Sequence, residues 1–272
     1  MAQKRQLITL LTDFGTADYF VAAMKGAAYS VYPDLEFVDI THEIPSFDIF
    51  GAAYTLRCCY DAFPRFTTHL VVVDPGIGSA RRPIFVMTDN YNFIGPDNGV
   101  FSYIYQLEQV NRVLHLTADL YYRKPVSATF HGRDIFAPVA AHLARMLQEG
   151  SVDLSVFGPP ARELQCFDFP TPVEERGGGY RGEVLHVDHF GNAVTNLPER
   201  WVAHAGGAAV VEAGGKSMPV VRTYSDVDVG ELCAVVGSAG WLEVACRDDS
   251  AASRLGLAPG QPVVLKAAPR AS

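Results

Sequence analysis

The sequence predicts a two-part α/β protein: an N-terminal α/β domain with a largely parallel central sheet, then a smaller C-terminal all-β barrel. Three observations carry this. Strand-length apolar runs alternate with helical patterns as far as Gln148, a breaker-rich stretch lies between Gly158 and Gly179, and only short strand-like runs follow it.

In order, Leu7–Thr12 is a short, mostly apolar run and reads as a buried strand. Asp18–Val31 has apolar residues near helical spacing, with Pro33 beyond its end. Leu35–Ile40 reads as a second strand, Asp48–Cys59 as a second helix, and His69–Val73 as a third strand that ends at Asp74-Pro75-Gly76. Ile84–Thr88 and Tyr91–Gly95 form a hairpin pattern around Asp89-Asn90. Arg133–Gln148 is the longest helical pattern, where Pro138 is tolerable only near the start. Gly158-Pro159-Pro160, and Thr171-Pro172 through Gly177-Gly178-Gly179, then interrupt regular structure. The expected strands beyond are Gly182–Asp188, Ala208–Glu212, Val220–Thr223, Leu232–Val236, Trp241–Ala245 and Val263–Ala267. The resulting division is an α/β domain over 1–165, a linker over 166–180 and a β-barrel domain over 181–272.

The 272 residues are 49% apolar and 19% charged, enough for a sizeable core. With 22 basic and 30 acidic residues the net charge is −8, and Lys/Arg cluster only in short pairs such as Arg81–Arg82. A phosphate-tracking surface is therefore not expected, and no nucleic-acid partner. An acidic balance suits a small cationic ligand better. The five cysteines are odd in number and lack a Cys-x-x-Cys, which argues against a disulfide framework or a thiolate zinc site. The histidines show no metal-ligand spacing either, so no metal is expected. Leu7–Leu11 is too short for a signal peptide or a membrane span, and a cytoplasmic soluble protein without membrane partner is expected.

Polar clusters interrupt this apolar sequence. Thr12-Asp13-Phe14-Gly15 with Asp18 follows the first strand, on the edge where open α/β sheets bind ligands. A carboxylate there can accept both cis hydroxyls of a ribose, or Asp13 or Asp18 can simply cap the following helix. Asp74-Pro75-Gly76-Ile77-Gly78-Ser79-Ala80-Arg81 also follows a strand, without the Gly-Lys-Ser/Thr end of a phosphate loop. Arg81 could return to Asp74 inside a site, or the two could form a surface ion pair across a tight turn. Gly95-Pro96-Asp97-Asn98-Gly99 is a strong turn signal and reads as structural. In Thr129-Phe130-His131-Gly132-Arg133-Asp134, a histidine stands at a strand-to-helix junction, placed for proton transfer or water orientation, although a lone histidine is more often structural. Asp188-His189-Phe190-Gly191-Asn192, continuing to Asn196, and Gly237-Ser238-Ala239-Gly240-Trp241-Leu242-Glu243 set polar groups beside glycines and aromatics, as a small-ligand site or ordinary β-turns would. No Gly-x-Ser-x-Gly elbow or cysteine nucleophile motif is present.

Taken in order, these clusters resemble the S-adenosylmethionine hydroxide adenosyltransferase family, the adenosine-forming S-adenosylmethionine hydrolases related to fluorinase and chlorinase. The markers are Leu11-Thr12-Asp13-Phe14-Gly15, Asp39-Ile40-Thr41-His42, Val73 through Gly78 with Arg81, Gly95 through Gly99, Thr129 through Asp134, and Phe190-Gly191-Asn192 with Thr195-Asn196. The similarity runs from Ile8 to about Val264. It implies a homotrimer, with each site between the first domain of one subunit and the second domain of its neighbour. It also implies a water-handling triad of Asp74, Arg81 and His131, Asp13 on the ribose hydroxyls, and Asp18 near the methionine ammonium. Asn192 and Ser238 would contact the methionine part, and Phe47 and Phe190 would be aromatic walls. The halogenases carry Tyr where this chain has Asp74, and the fluorinase has a hydroxyl residue at Gly132 and a long insertion missing here. Arg247 falls about where members usually show Asn.

The implied reaction is hydrolysis of S-adenosyl-L-methionine to adenosine and L-methionine, by in-line attack of water on ribose C5′, without a cofactor. Two alternatives stand beside it: a halide-using adenosyltransferase forming 5′-halo-5′-deoxyadenosine, and a nucleoside-binding protein without turnover.

Overall fold

The structure, a computed structural model, describes residues 6–150, 153–176, 178–205 and 209–266. The chain divides into two units, Met1–Phe167 and Asp168–Ser272. Gly177, Ala208 and Ala267, which fall within expected loop or strand segments, lie outside the described residues.

The first unit runs β1 (Gln6–Thr12), α1 (Phe20–Val31), β2 (Leu35–Thr41), α2 (Ile49–Cys59), β3 (Thr68–Val72), β4 (Pro83–Thr88), β5 (Asn92–Pro96), α3 (Ser102–Leu107), β6 (Val110–His115) and α4 (Ala137–Glu149). Its sheet has the order β2-β1-β3-β5-β4-β6. β1 is parallel to β2 and β3, and β3 to β5, while the β4–β5 hairpin and β6 are antiparallel additions, so the sheet is mixed. β3 is buried along its whole length, as a strand covered on both faces must be. Ile8, Leu10, Leu70 and Val72 meet α1 and α4 on one face. Leu11 and Val71 meet Ala52 and Leu56 of α2 on the other.

Two departures from the sequence reading have simple causes. α3 is too short to give a periodic signal, and β6 is an edge strand whose outer residues are exposed and polar. The expected helix from Arg133 begins as a π-helical turn over Gly132–Phe136, and α4 proper starts at Ala137, with Pro138 in its first turn, where a missing N–H costs nothing.

The second unit contains β7 (Val173–Glu174), β8 (Gly179–Val187), β9 (Ala193–Pro198), α5 (Glu199–Ala205), β10 (Val210–Ala213), β11 (Lys216–Pro219), β12 (Leu232–Val236), β13 (Trp241–Cys246), α6 (Ala251–Leu255) and β14 (Pro262–Lys266). The strand order is β11-β10-β14-β8-β9-β13-β12, with β7 on β8. A bridge from Val220 to Ala234 links the two ends into a barrel-like closure. Val220–Thr223 is therefore not a strand of its own. The strand is β11, turned back on β10 by Gly214 and Gly215, both at positive φ as a tight hairpin requires. β7 and the start of β8 occupy part of the 166–180 stretch.

Candidate active site

β1 and β3 are adjacent and parallel, with Thr12 opposite Val72, so Asp13 and Asp74 leave the sheet at the same edge. Neither Asp13 nor Asp18 caps α1, whose N-cap is Tyr19 without a side-chain bond. Instead Asp13 Oδ2 accepts the Phe47 N–H at 2.9 Å. Phe47 lies in the turn closed by the Asp48 N–H to the Pro45 carbonyl, and its φ is 70°. That backbone region favours glycine, so a bulky residue is strained there. Its ring is 70% exposed. Asp48 completes the turn by capping α2 through the Gly51 N–H.

The loop after β3 folds back on itself. The Ile77 N–H meets the Asp74 carbonyl, the Ser79 N–H and hydroxyl meet the Gly76 carbonyl, and the Arg81 N–H meets Ser79 Oγ. Arg81 thereby returns to Asp74. Its Nε donates to Asp74 Oδ1 at 2.8 Å and its Nη2 to Asp74 Oδ2, with side chains only 8% and 3% exposed. This is a buried pair, not a surface one. Arg81 Nη2 also lies 2.8 Å from His131 Nδ1. A guanidinium only donates, so Nδ1 accepts, and the neutral ring carries its proton on Nε2. Burial, reinforced by the Arg81 charge, pushes the His131 pKa below its ordinary value. Arg81 Nη1 is buried and has no acceptor among the described residues.

His131 is the last residue before the π-helical turn, a feature common at functional sites. Asp134 anchors this loop. Fully buried, it accepts from Arg133 Nε and Nη2, Arg123 Nη1 and the Ser127 N–H. Gly132 packs on Met24, whose Sδ would lie 3.0 Å from an added Cβ, so a larger residue there requires the Met24 side chain to give way by a few tenths of an ångström.

A cavity of about 280 Å³ opens at this edge, with Asp13, Phe14, Phe47, Asp74, Thr129 and Phe130 in its lining. Of the expected triad only Asp74 lines it; Arg81 and His131 are joined to Asp74 by hydrogen bonds. Asp18 is exposed and outside the lining. Phe14 and Phe130 were not singled out from sequence, because apolar residues beside polar motifs look like core.

In the second unit Phe190, Asn192 and Ser238 line a separate cleft of about 1000 Å³. Asp188 organises the turn between β8 and β9. Its Oδ1 accepts the Phe190 and Asn192 N–H groups, and its Oδ2 accepts from Asn192 Nδ2 at 2.9 Å. Phe190 is 76% exposed. Gly191 has φ 83°, and an added Cβ would lie 2.1 Å from Ser250 Oγ, so only glycine fits. Sequence reasoning missed Tyr224, which stands outside any polar cluster; its hydroxyl meets Glu243 Oε2 at 3.1 Å. Burial, with the Glu243 charge, pushes the Tyr224 pKa to about 12, and burial raises that of Glu243. Arg247 also lines the cleft and donates to the Val227 carbonyl.

The Gly95–Gly99 marker is structural. Asp97 is buried, pairs with Arg82 and accepts the Gln165 N–H, while Arg82 also donates to the Arg162 and Glu163 carbonyls. Among the described residues no group of His, Cys, Asp and Glu has the geometry of a metal site.

Comparison with known proteins matches residues 8–152 to the SAM hydroxide adenosyltransferase N-terminal domain and 182–264 to the C-terminal domain of the same family. An (R)-S-adenosyl-L-methionine hydrolase of Thermus thermophilus is 39% identical, over 95% of this chain and 98% of that protein. A hydrolase of the same name from Salinispora tropica is 37% identical, over 93% and 95%. Fluorinases are more remote, that of an Actinoplanes species at 23%. The crystal structure of an uncharacterized conserved protein from Thermotoga maritima superposes with a TM-score of 0.88 at 33% identity, covering 95% of this chain and 99% of that one.

Proposed function

The chain belongs to the SAM hydroxide adenosyltransferase family, and from that premise we propose that it hydrolyses S-adenosyl-L-methionine to adenosine and L-methionine. Water oxygen attacks ribose C5′, the C5′–sulfur bond breaks with its electron pair going to sulfur, and one proton is released. Methionine departs as a neutral thioether and needs no protonation, so no metal or cofactor is required. What the protein must supply is alignment, worth roughly 7–11 kcal/mol at best. The relatives' name specifies the (R) sulfonium epimer, and we assign the same preference here.

The arrangement that carries this reading is the Arg81 guanidinium bonded to both Asp74 and His131, with Asp74 on the cavity wall. Arg81 cannot accept a proton, and His131 Nδ1 is already occupied by Arg81. Asp74 is then the group of the three that takes the water's O–H, while Arg81 Nη1 donates to the water oxygen and His131 holds the guanidinium in place. Asp13 takes the ribose hydroxyls beside the Phe47 ring. Asp18 lies near the methionine ammonium, and Asn192, Ser238 and Phe190 complete the site from a neighbouring copy in a homotrimer. A cytoplasmic location goes with this substrate; among the described residues no helix is long and apolar enough to cross a membrane. A buried carboxylate facing C5′ disfavours halide as the nucleophile.

Incubation of the purified protein with each sulfonium epimer in heavy-oxygen water tests the reading. Adenosine labelled at its 5′-hydroxyl, formed in chloride buffer and in the presence of a chelator, is the expected product. Methylthioadenosine, a 5′-halo nucleoside or no turnover overturns it. Sedimentation at micromolar concentration tests the trimer.

A further inference from the structure

The strand end that carries Asp13 is tied down by a residue outside the cavity wall. His42, just after β2, is buried. Its Nδ1 lies 2.9 Å from Thr12 Oγ1, and its Nε2 lies 3.2 Å from Asp39 Oδ1. Lys25 Nζ holds the other Asp39 oxygen at 2.7 Å. Burial works against ionisation of Asp39, but the Lys25 hydrogen bond and the nearby His42 ring outweigh it and hold its carboxyl below the usual range. His42 Nε2 faces this ionised carboxylate without completing a hydrogen bond to it, and the negative charge there favours the ring proton on Nε2, which leaves Nδ1 to accept from the Thr12 hydroxyl. Thr12 Oγ1 in turn accepts the Phe14 N–H at 3.3 Å. The His42 carbonyl takes the Gly15 N–H at 2.7 Å, where the chain turns at φ 65°. Asp13 is thus fixed on both flanks, at Thr12 and at Phe14–Gly15.

The Asp39–His42–Thr12 order is that of a nucleophilic triad, but Thr12 is fully buried and does not line the cavity. The chain holds; it does not react. Its hold continues through Asp13 to the Phe47 N–H, which keeps an exposed ring at a backbone angle that ring would not choose.

We propose that His42 is a positioning residue that fixes the Asp13 carboxylate and, through it, the Phe47 wall, and so sets affinity for the nucleoside half of the substrate. The proposal rests on the reading that Asp13 holds the ribose hydroxyls. Adenosine dissociation constants, measured by calorimetry on the full-length protein, test it without requiring turnover. His42→Ala and the near-isosteric Thr12→Val are each expected to weaken adenosine binding roughly ten-fold, the size of one lost buried hydrogen bond. His42→Asn, whose Oδ1 can stand in for the ring Nδ1 acceptor, is expected to restore most of the loss. In an Asp13→Asn background, His42→Ala adds no more than about two-fold, whereas in a His131→Ala background the whole factor persists. Unchanged adenosine affinity in Thr12→Val, or full additivity with Asp13→Asn, overturns the proposal and leaves the ribose reading intact. Unchanged affinity in Asp13→Asn alone removes the ribose reading and this proposal with it. Should His42→Ala not fold, Thr12→Val and His42→Asn carry the same test.

Discussion

Asp74→Asn separates what the buried pair does for the fold from what it does for chemistry. The substitution keeps the side-chain shape but sets an amide N–H₂ against one of two guanidinium donors, Arg81 Nε or Nη2. Arg81 is left buried without a counter-charge, and its face on Phe136, 5.2 Å from the ring centroid, is a poor substitute. Breaking a buried pair in this way costs about 3–5 kcal/mol. For a unit spanning Met1–Phe167, with an unfolding entropy of about 2 cal/mol/K per residue, that is a fall in Tm of roughly 9–14 °C. If Asp74 takes the water's proton as proposed, its loss should lower kcat by about 10²–10⁴. Calorimetry and chromatography of adenosine measure the two. A Tm within about 2 °C of the parent contradicts the buried-pair energetics. A kcat within about three-fold contradicts the role of Asp74 in handling water. The double variant Asp74→Asn/Arg81→Met removes the orphaned charge, and should recover part of the Tm with no recovery of turnover.

Turnover should have an acid limb with an apparent pKa below 6.5, because a protonated His131 can no longer accept from Arg81, and burial and the Arg81 charge hold its pKa under that ordinary value. Between the lowered value and 6.5 the unfolded chain binds this proton and the folded chain does not, so the same group makes stability rise with pH across that window; a limb at or above 6.5 in the pH–rate profile refutes this. Phe47→Gly should leave Tm unchanged or raise stability by up to about 1 kcal/mol, since relief at φ 70° opposes the entropy of glycine, yet weaken adenosine binding; a large fall in Tm counts against strain at this turn. Asp97→Asn should lower Tm by breaking the Arg82 clamp while leaving kcat/KM per folded molecule within about two-fold, because Asp97 holds the 162–165 segment and is absent from the cavity wall; a selective loss of turnover would make that marker functional.

The strand–helix alternation was legible in the chain because β1, β3, α1 and α4 are long or apolar enough for a periodic signal. α3, β6, α5 and α6 were not, being short or partly solvated, so nothing in their pattern distinguished them from loop. At the site, Asp13, Asp74, Arg81 and His131 were visible as polar residues at breaks in apolar sequence. Composition could not decide whether Asp13 capped a helix or Asp74 and Arg81 paired on the surface, since both alternatives use the same residues at the same spacing. Burial and direction decide them: the Asp13 carboxylate turns away from α1 to the Phe47 amide, and the Asp74–Arg81 pair is enclosed. His42 illustrates the opposite limit. Its effect depends on Thr12 and Asp39 meeting one ring across adjacent strands, contacts that no spacing in a single chain announces.

The charge on Asp74 poses a problem that Arg81 solves. The substrate is a cation whose charge vanishes from sulfur as the C5′–sulfur bond breaks. A bare carboxylate beside it would stabilise the ground state more than the transition state, and only differential stabilisation speeds a reaction. The buried guanidinium makes the pair nearly neutral before attack, so that, on the proposed reading, Asp74 can accept the water's proton without becoming a sink for the sulfonium. Replacing Arg81 with Met should therefore shift affinity in opposite senses. Binding of S-adenosylmethionine, measured above neutral pH, should tighten relative to adenosine as the sulfonium becomes the counter-ion of Asp74, while kcat falls by at least about 10². If the ratio of the two dissociation constants is unchanged and only kcat falls, Arg81 acts by orienting water alone, and the neutralisation argument is wrong.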